Sequence, residues 1–184
     1  MPSSQLQGPD GAPERRDDPD PSDPVPATPH ASFAFQHRRL ERRLRAHLMA
    51  LVGADFAGSL AHLERWHAAL LQHIEIEETL LLPALPAGAR WGERIYRVEH
   101  ERIRLLADAY LQRIRAATAQ APEGERARRA AVLALLDAAH ALRHLLEHHH
   151  EREEMALAQE LPAALQRRAW SRLQAADRAG PTVP

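Results

Sequence analysis

Apolar residues recur at helical spacing from residue 32 to near the end of the chain. This pattern predicts four long helices and a shorter fifth one, over about 32–52, 55–82, 90–119, 125–160 and 162–177. Ser32 is the predicted N-cap of the first helix, and Gly53 follows its last turn. Since the connections are short, consecutive helices should be antiparallel neighbours. The sequence therefore predicts an all-α fold, an up-down-up-down four-helix bundle with an extra short C-terminal helix.

The first 30 residues have a different composition from the rest of the chain. They hold eight of the 14 prolines and six acidic residues against two arginines. Such a segment cannot bury enough apolar surface to fold alone, so a disordered tail is predicted over 1–30. No secretory signal and no apolar run of about 18 residues is apparent. We therefore expect a cytoplasmic protein without a membrane partner, folded over 31–178, with a second short tail over 179–184.

The second and fourth predicted helices carry the same motif, H-x-E-x-E-E, which begins at His73 and at His149. Within each copy the histidine and the glutamate four residues later, Glu77 or Glu153, share one helix face at a spacing of about 6 Å. Both pairs lie within the apolar stripe that should face the core. A buried imidazole and carboxylate without partners would cost several kcal/mol. A metal ion in the bundle core would remove that cost.

The first and third helices each offer a histidine at a matching depth. Antiparallel helices share a depth scale of about 1.5 Å per residue, counted from the turn that joins them. His37 lies about 16 residues before the first turn and His73 about 19 after it, whereas His47 lies only about six before it. His100 matches His73 across the second turn. The predicted metal ligands are therefore His37, His73, Glu77, His100, His149 and Glu153.

Other histidines are alternatives to two of these ligands. His47 is the main competitor of His37. His148 or His150 could replace His149 if the helix were rotated by about 100°. All eight histidines outside the ligand set are expected to be peripheral; besides His47, His148 and His150 they are His30, His62, His67, His140 and His144.

The donor set consists of nitrogen and oxygen only, because the chain has no cysteine. This absence excludes disulfides, thiolate zinc sites and iron–sulfur clusters. Four imidazoles and two carboxylates suit a pair of iron ions, and two glutamates from facing helices could bridge metals about 3.5–4 Å apart. A formal net charge of −1 argues against nucleic acid as a partner.

The order H…HxxxE…H…HxxxE on a helical chain resembles the hemerythrin family, in its HHE cation-binding branch, over about residues 33–160. The segments FQHRRLERRL, HIEIEETLLLPAL and EHERIRLL carry the resemblance. It implies a four-helix bundle with a non-haem di-iron centre, oxo- or hydroxo-bridged, near one end. Members of that family transport or sense O₂, sense nitric oxide or iron, or handle peroxide. A small diatomic molecule or a peroxide is therefore the expected ligand.

One position departs from the oxygen-carrying hemerythrins, which have a fifth histidine in the third helix as H-x-x-x-H. Here the residues four positions before and after His100 are Tyr96 and Arg104. Simple reversible O₂ carriage is therefore less well supported than redox chemistry or sensing at an open position. Tyr96 is a candidate to approach the metal or to hydrogen-bond a bound oxygen. No nucleophile–base pair is apparent that would predict an enzyme of another class.

Two other classes of protein are alternatives for this sequence. A ferritin-like di-iron oxidase would use E-x-x-H pairs, and the chain contains Glu64–His67 and Glu147–His150. On a helical wheel both glutamates point away from the core, which argues against this class. A helical regulatory or interaction module is the other alternative, since the acidic tail and the fifth helix offer surfaces for a protein partner.

Overall fold

A computed structural model describes residues 29–179 of the chain, and within that range it is helical without any strand. The α-helices are α1 (Pro29–Val52), α2 (Phe56–Ile76), α3 (Glu93–Ala119), α4 (Glu125–Ala138), α5 (His140–Arg152), α6 (Ala158–Glu160) and α7 (Ala163–Ala179). Two π-helical turns, Glu77–Leu81 and Glu153–Leu157, follow α2 and α5, and a 3₁₀ turn spans Leu82–Ala84. None of the described helices is long and apolar enough to cross a membrane. The all-helical prediction is confirmed for this range.

The predicted boundaries differ from the structure in three places. Helix α1 begins at Pro29, before the predicted cap and inside the predicted tail; residues 1–28 and 180–184 of the two predicted tails lie outside the described residues. The predicted second helix ends in a π turn and a 3₁₀ turn. The predicted fourth helix is divided at Ala139, whose N–H is shared between the carbonyls of Leu135 and Leu136, both at 3.2 Å. Such local changes of hydrogen-bond register leave no mark on hydrophobic periodicity.

The turn between α1 and α2 sets the start of α2. Ala54 has a positive φ of 55°, and Asp55 caps the helix by accepting a hydrogen bond from the Gly58 N–H at 2.9 Å. A Cβ at Gly58 would lie 2.0 Å from the Asp55 carboxylate, so glycine is required for this close approach. The glycine that would weaken a helix interior therefore accommodates the cap here.

Helix α1 packs on α2, α2 on α3, and α3 on α5, while α7 packs against α1 and α2. Their buried apolar residues form two clusters. A larger cluster includes Leu40, Trp66 and Ile103, and a smaller one includes Phe33, Tyr96 and Trp170. On α3, for example, His100 lies between a residue of each cluster, and the same arrangement holds on α1, on α2 and along α5 with the π turn that follows it. The predicted ligands therefore form a polar layer between two apolar regions.

A second buried polar group lies in the larger cluster, away from this layer. His47 is fully buried, and burial lowers its pKa, which favours the neutral ring. Its Nδ1 donates to the Ser59 carbonyl at 2.9 Å, and its Nε2 lies 2.8 Å from the Tyr110 hydroxyl. The prediction that His47 would be peripheral is therefore wrong. Ser59 and Tyr110 give both of its nitrogens a hydrogen-bond partner, so His47 can be buried without a metal ligand role.

We expect Tyr110→Phe to lower the free energy of unfolding by about 1–3 kcal/mol, because it leaves His47 Nε2 buried without a partner. Chemical denaturation of the metal-free protein measures this difference. Metal content should stay that of the wild type, since the hydroxyl contacts no predicted ligand. A free energy of unfolding equal to that of the wild type, whether or not metal is lost, would contradict a structural role for this hydrogen bond.

Candidate metal centre

The structure brings all six predicted ligands together, and each is at most 2% exposed. They form two overlapping groups, and within each group the donor atoms all lie within 4.8 Å of one another. The first group is His37, His73, Glu77 and Glu153, and the second is Glu77, His100, His149 and Glu153. Each group contains two histidines and both glutamates. The described residues therefore form a buried cluster with two positions that could each hold a metal ion.

Each glutamate divides its two oxygens between the two groups. Glu77 Oε1 lies 3.0 Å from His73 Nε2, and its Oε2 lies 3.4 Å from His100 Nε2. Glu153 Oε2 lies 3.1 Å from His37 Nε2, and its Oε1 lies 3.2 Å from His149 Nε2. A carboxylate in this position can bind one ion through each oxygen. Both glutamates are therefore placed to bridge two metal ions.

The donor atoms lack the hydrogen bonds that buried polar groups ordinarily make. Both oxygens of Glu77 and of Glu153, together with Nε2 of His37 and of His73, are buried and make no hydrogen bond of normal geometry among the described residues, although the closest of them approach to 3.0 and 3.1 Å. In addition, His100 Nε2 faces His149 Nε2 at 3.1 Å. Unsatisfied nitrogen and oxygen atoms that converge in an apolar interior are the arrangement that a cation stabilises. The residues present therefore fit a pair of metal ions with nitrogen and oxygen ligands.

Three of the four histidines are oriented through Nδ1 by a further carboxylate. His37 Nδ1 contacts Glu154 at 2.8 Å. His100 Nδ1 contacts Glu78 and His149 Nδ1 contacts Glu99, each at 3.0 Å. A hydrogen bond at Nδ1 fixes the tautomer that leaves Nε2 free to bind a metal. These contacts hold all three Nε2 atoms toward the shared glutamates.

The orienting carboxylates explain the doubled glutamate of the repeated motif. In each copy the first glutamate of the final pair, Glu77 or Glu153, lies in the cluster, whereas the second, Glu78 or Glu154, contacts a histidine from another helix. Arg104 in turn contacts both oxygens of Glu78, at 3.0 and 2.9 Å. Sequence reasoning missed this role, although the second glutamate was visible in both copies. Arg104, at a possible fifth-histidine position, therefore supports Glu78.

The backbone follows the same twofold pattern as the motif. The π-helical turns begin at Glu77 and at Glu153, the two shared glutamates. Isolated π turns within α-helices are frequent at functional sites. Their occurrence at equivalent positions of both copies extends the pseudo-symmetry of the sequence to the local structure.

When no metal is bound, the carboxylates of the cluster raise the pKa of three of its histidines. Burial lowers the pKa of His37, but Glu153 and Glu154 outweigh it and raise that pKa to about 9. By the same balance, nearby carboxylates raise the pKa of His100 to about 9 and that of His149 to about 10. Burial raises the pKa of Glu153, yet His149, His100 and His37 bring it well below its usual value. A metal ion would thus replace protons on these histidines.

Two aromatic residues of the smaller cluster border the site. The ring of Trp170, from α7, stacks on His73 with centroids 5.4 Å apart. Helix α7, which corresponds to the predicted fifth helix, therefore closes this side of the site. Tyr96 is fully buried, and its hydroxyl has no hydrogen-bond partner among the described residues. Burial and the charges of Glu153 and Glu160 raise the pKa of Tyr96, which keeps its hydroxyl protonated.

The alternative histidines lie outside both groups. His148 is exposed beside Glu151, in the surface row with His140 and His144. His150 is 7% exposed, and its ring stacks on that of His37 with centroids 3.9 Å apart. The expectation that His150 would be peripheral is therefore wrong. His150 lies beside the core-facing stripe of α5, and His37 of α1 packs against it there.

The pairs that a ferritin-like site would need do not converge. Glu64 is exposed and pairs with Arg115 at 2.8 Å. His67 contacts Asp108 at 2.7 Å, and Glu147 is exposed. These contacts are those of a solvated surface.

No family model matches this chain, and no curated protein or solved structure matches it. The assignment of a function therefore rests on the residues of the site and on their geometry.

Proposed function

We propose that this chain is a hemerythrin-like non-haem di-iron protein that binds O₂, nitric oxide, peroxide or a related small ligand, in sensing, in iron and oxygen handling or in the response to oxidative or nitrosative stress. The observation that carries the proposal is the division of Glu77 and Glu153 between two histidine pairs. Sets of two histidines with carboxylates and open positions are typical of non-haem iron. When bound, the two ions would supply the positions at which a small ligand coordinates.

The proposed arrangement of the helices is the up-down-up-down bundle, and contacts between neighbouring helices support it. His47 and Ser59, which flank the α1–α2 turn, are hydrogen-bonded. Between α2 and α3, Glu64 contacts Arg115 and His67 contacts Asp108. Residue numbers thus rise on α2 as they fall on α3, as they do for antiparallel helices.

The remaining residues of the site would control what reaches the metal pair. Apolar clusters on both sides of the polar layer keep bulk water from the donor atoms, which strengthens electrostatic interactions there. Glu78, Glu99 and Glu154 hold three imidazoles in place. The Tyr96 hydroxyl is the buried donor that we propose to hydrogen-bond a small ligand.

Loading the metal-free full-length chain with ferrous iron under nitrogen, followed by air, tests the proposal. We expect two irons per chain and the near-ultraviolet absorption of a bridged ferric pair, and we expect the spectrum to change when nitric oxide or peroxide is added. Competition with zinc and manganese measures the preference for iron. Folded protein that takes up no iron, or only one ion, would overturn the proposal.

A further inference from the structure

A cavity of about 830 Å³ lies beside the polar layer, between α1, α2 and α5. Its apolar wall is formed mainly by leucines and Trp66, whereas Arg38, Arg42, Arg45 and Arg143 supply its polar lining. None of the six predicted metal ligands lines it. Its volume falls within the range of small-molecule sites, about 300–1,000 Å³.

The charge of the lining favours an anion. Four arginines are opposed by two carboxylates, those of Glu41 and Glu147. Nε and Nη2 of Arg42 are buried and have no hydrogen-bond partner among the described residues. Buried N–H groups without a partner are costly, and these two on the half-buried Arg42 match the two oxygens of a carboxylate. The cavity therefore combines an apolar wall with two unsatisfied N–H groups of a cation.

His150 connects the cavity with the metal centre. It lines the cavity, and its Nδ1 is buried without a hydrogen-bond partner among the described residues. Its ring stacks on His37 at an angle of 6° between the ring planes. A molecule in the cavity would therefore be separated from a predicted metal ligand by a single imidazole ring.

We propose that this cavity binds a small amphiphilic carboxylate, with its hydrocarbon part against the leucines and Trp66 and its carboxylate on Arg42. A hydrocarbon without a charged group would leave the Arg42 guanidinium without a partner. An inorganic anion would leave the apolar wall exposed to water. The site does not depend on the proposed function, since its lining is separate from the metal ligands.

Calorimetric titration of the metal-free full-length chain with octanoate tests this proposal. We expect one octanoate to bind per chain. Octanol and octylammonium, which share its hydrocarbon chain, should bind at least about tenfold more weakly, because a hydrogen-bonded charge pair is lost. No binding of octanoate to the folded protein, or equal affinities for octanoate and octylammonium, would overturn the proposal.

Two variants locate the site. Arg42→Met keeps most of the side-chain volume and should weaken octanoate about tenfold, while Arg102→Met, an exposed arginine of α3 outside the cavity, should bind as the wild type does. Bromo-octanoate should quench Trp66 fluorescence, and Trp66→Phe should remove that quenching. Equal weakening by both arginine variants, or quenching that persists in Trp66→Phe, would place the ligand elsewhere. Iron stoichiometry, measured separately, reports on the proposed function alone.

Discussion

Replacing Glu153 with alanine is expected to remove both metal ions from the protein. Its two oxygens face His37 in one group and His149 in the other, so its loss leaves each group with three donors and no second bridge. Glu77→Ala should also remove both metal ions, because Glu77 belongs to both groups as well. Iron per chain after ferrous loading is the measurement, and we expect it to fall from two to below about 0.2, which corresponds to roughly a hundredfold loss of affinity for each ion.

The controls separate a lost ligand from a lost fold. Glu153→Gln keeps the shape of the side chain, so it should fold, by circular dichroism, while still losing metal. Glu151→Ala, on the surface two residues earlier, and His47→Ala, outside both groups, should keep two ions. A Glu153→Ala protein that retains one full equivalent would show that the carboxylate belongs to one ion only. Equal iron loss in His47→Ala would contradict the depth argument that selected His37.

The six residues of the buried cluster could be chosen from the sequence because two kinds of regularity coincide. Helical periodicity placed His73 and Glu77 in an apolar stripe. The depth scale of antiparallel helices then favoured His37 over His47, and the structure places only His37 beside Glu153. Both arguments need only constant rise and twist along straight helices joined by short turns.

Features that depend on neighbouring helices could not be predicted in this way. A helical wheel shows one stripe of a single helix, whereas His150 is buried because α1 covers the flank beside that stripe. The contact of Glu154 with His37 joins residues 117 positions apart. The packing of α7 similarly follows from Trp170 filling the end of the smaller cluster. Local pattern thus identified the residues of the buried cluster better than the contacts that support them.

The stability of the metal-free protein should fall as pH rises above 7, whereas that of the metal-loaded protein should change little. In the metal-free protein, His37, His100 and His149 have pKa values of about 9, 9 and 10, against an ordinary value of 6.5. Groups with raised pKa values stabilise the fold fully below about pH 6.5, and that contribution disappears as pH rises through 9–10. The lowered pKa of Glu153 works in the other direction, contributing above about pH 4.5 and fading below it. The metal-free protein should therefore become less stable between pH 7 and pH 10.

Metal binding offsets this loss of stability, because an imidazole must lose its proton before it can bind an ion. At pH 7, occupation of both positions should release two to three protons, so the apparent affinity should rise by roughly a hundredfold or more per pH unit up to about pH 9. The melting temperatures of metal-free and zinc-loaded protein at pH 6, 7.5 and 9 measure the effect without redox chemistry. We expect the gap between them to widen with pH, and to stay near zero in Glu153→Ala, which retains no metal. A gap that is constant from pH 6 to pH 9 would mean that metal displaces no protons, and the histidines would then not be the ligands.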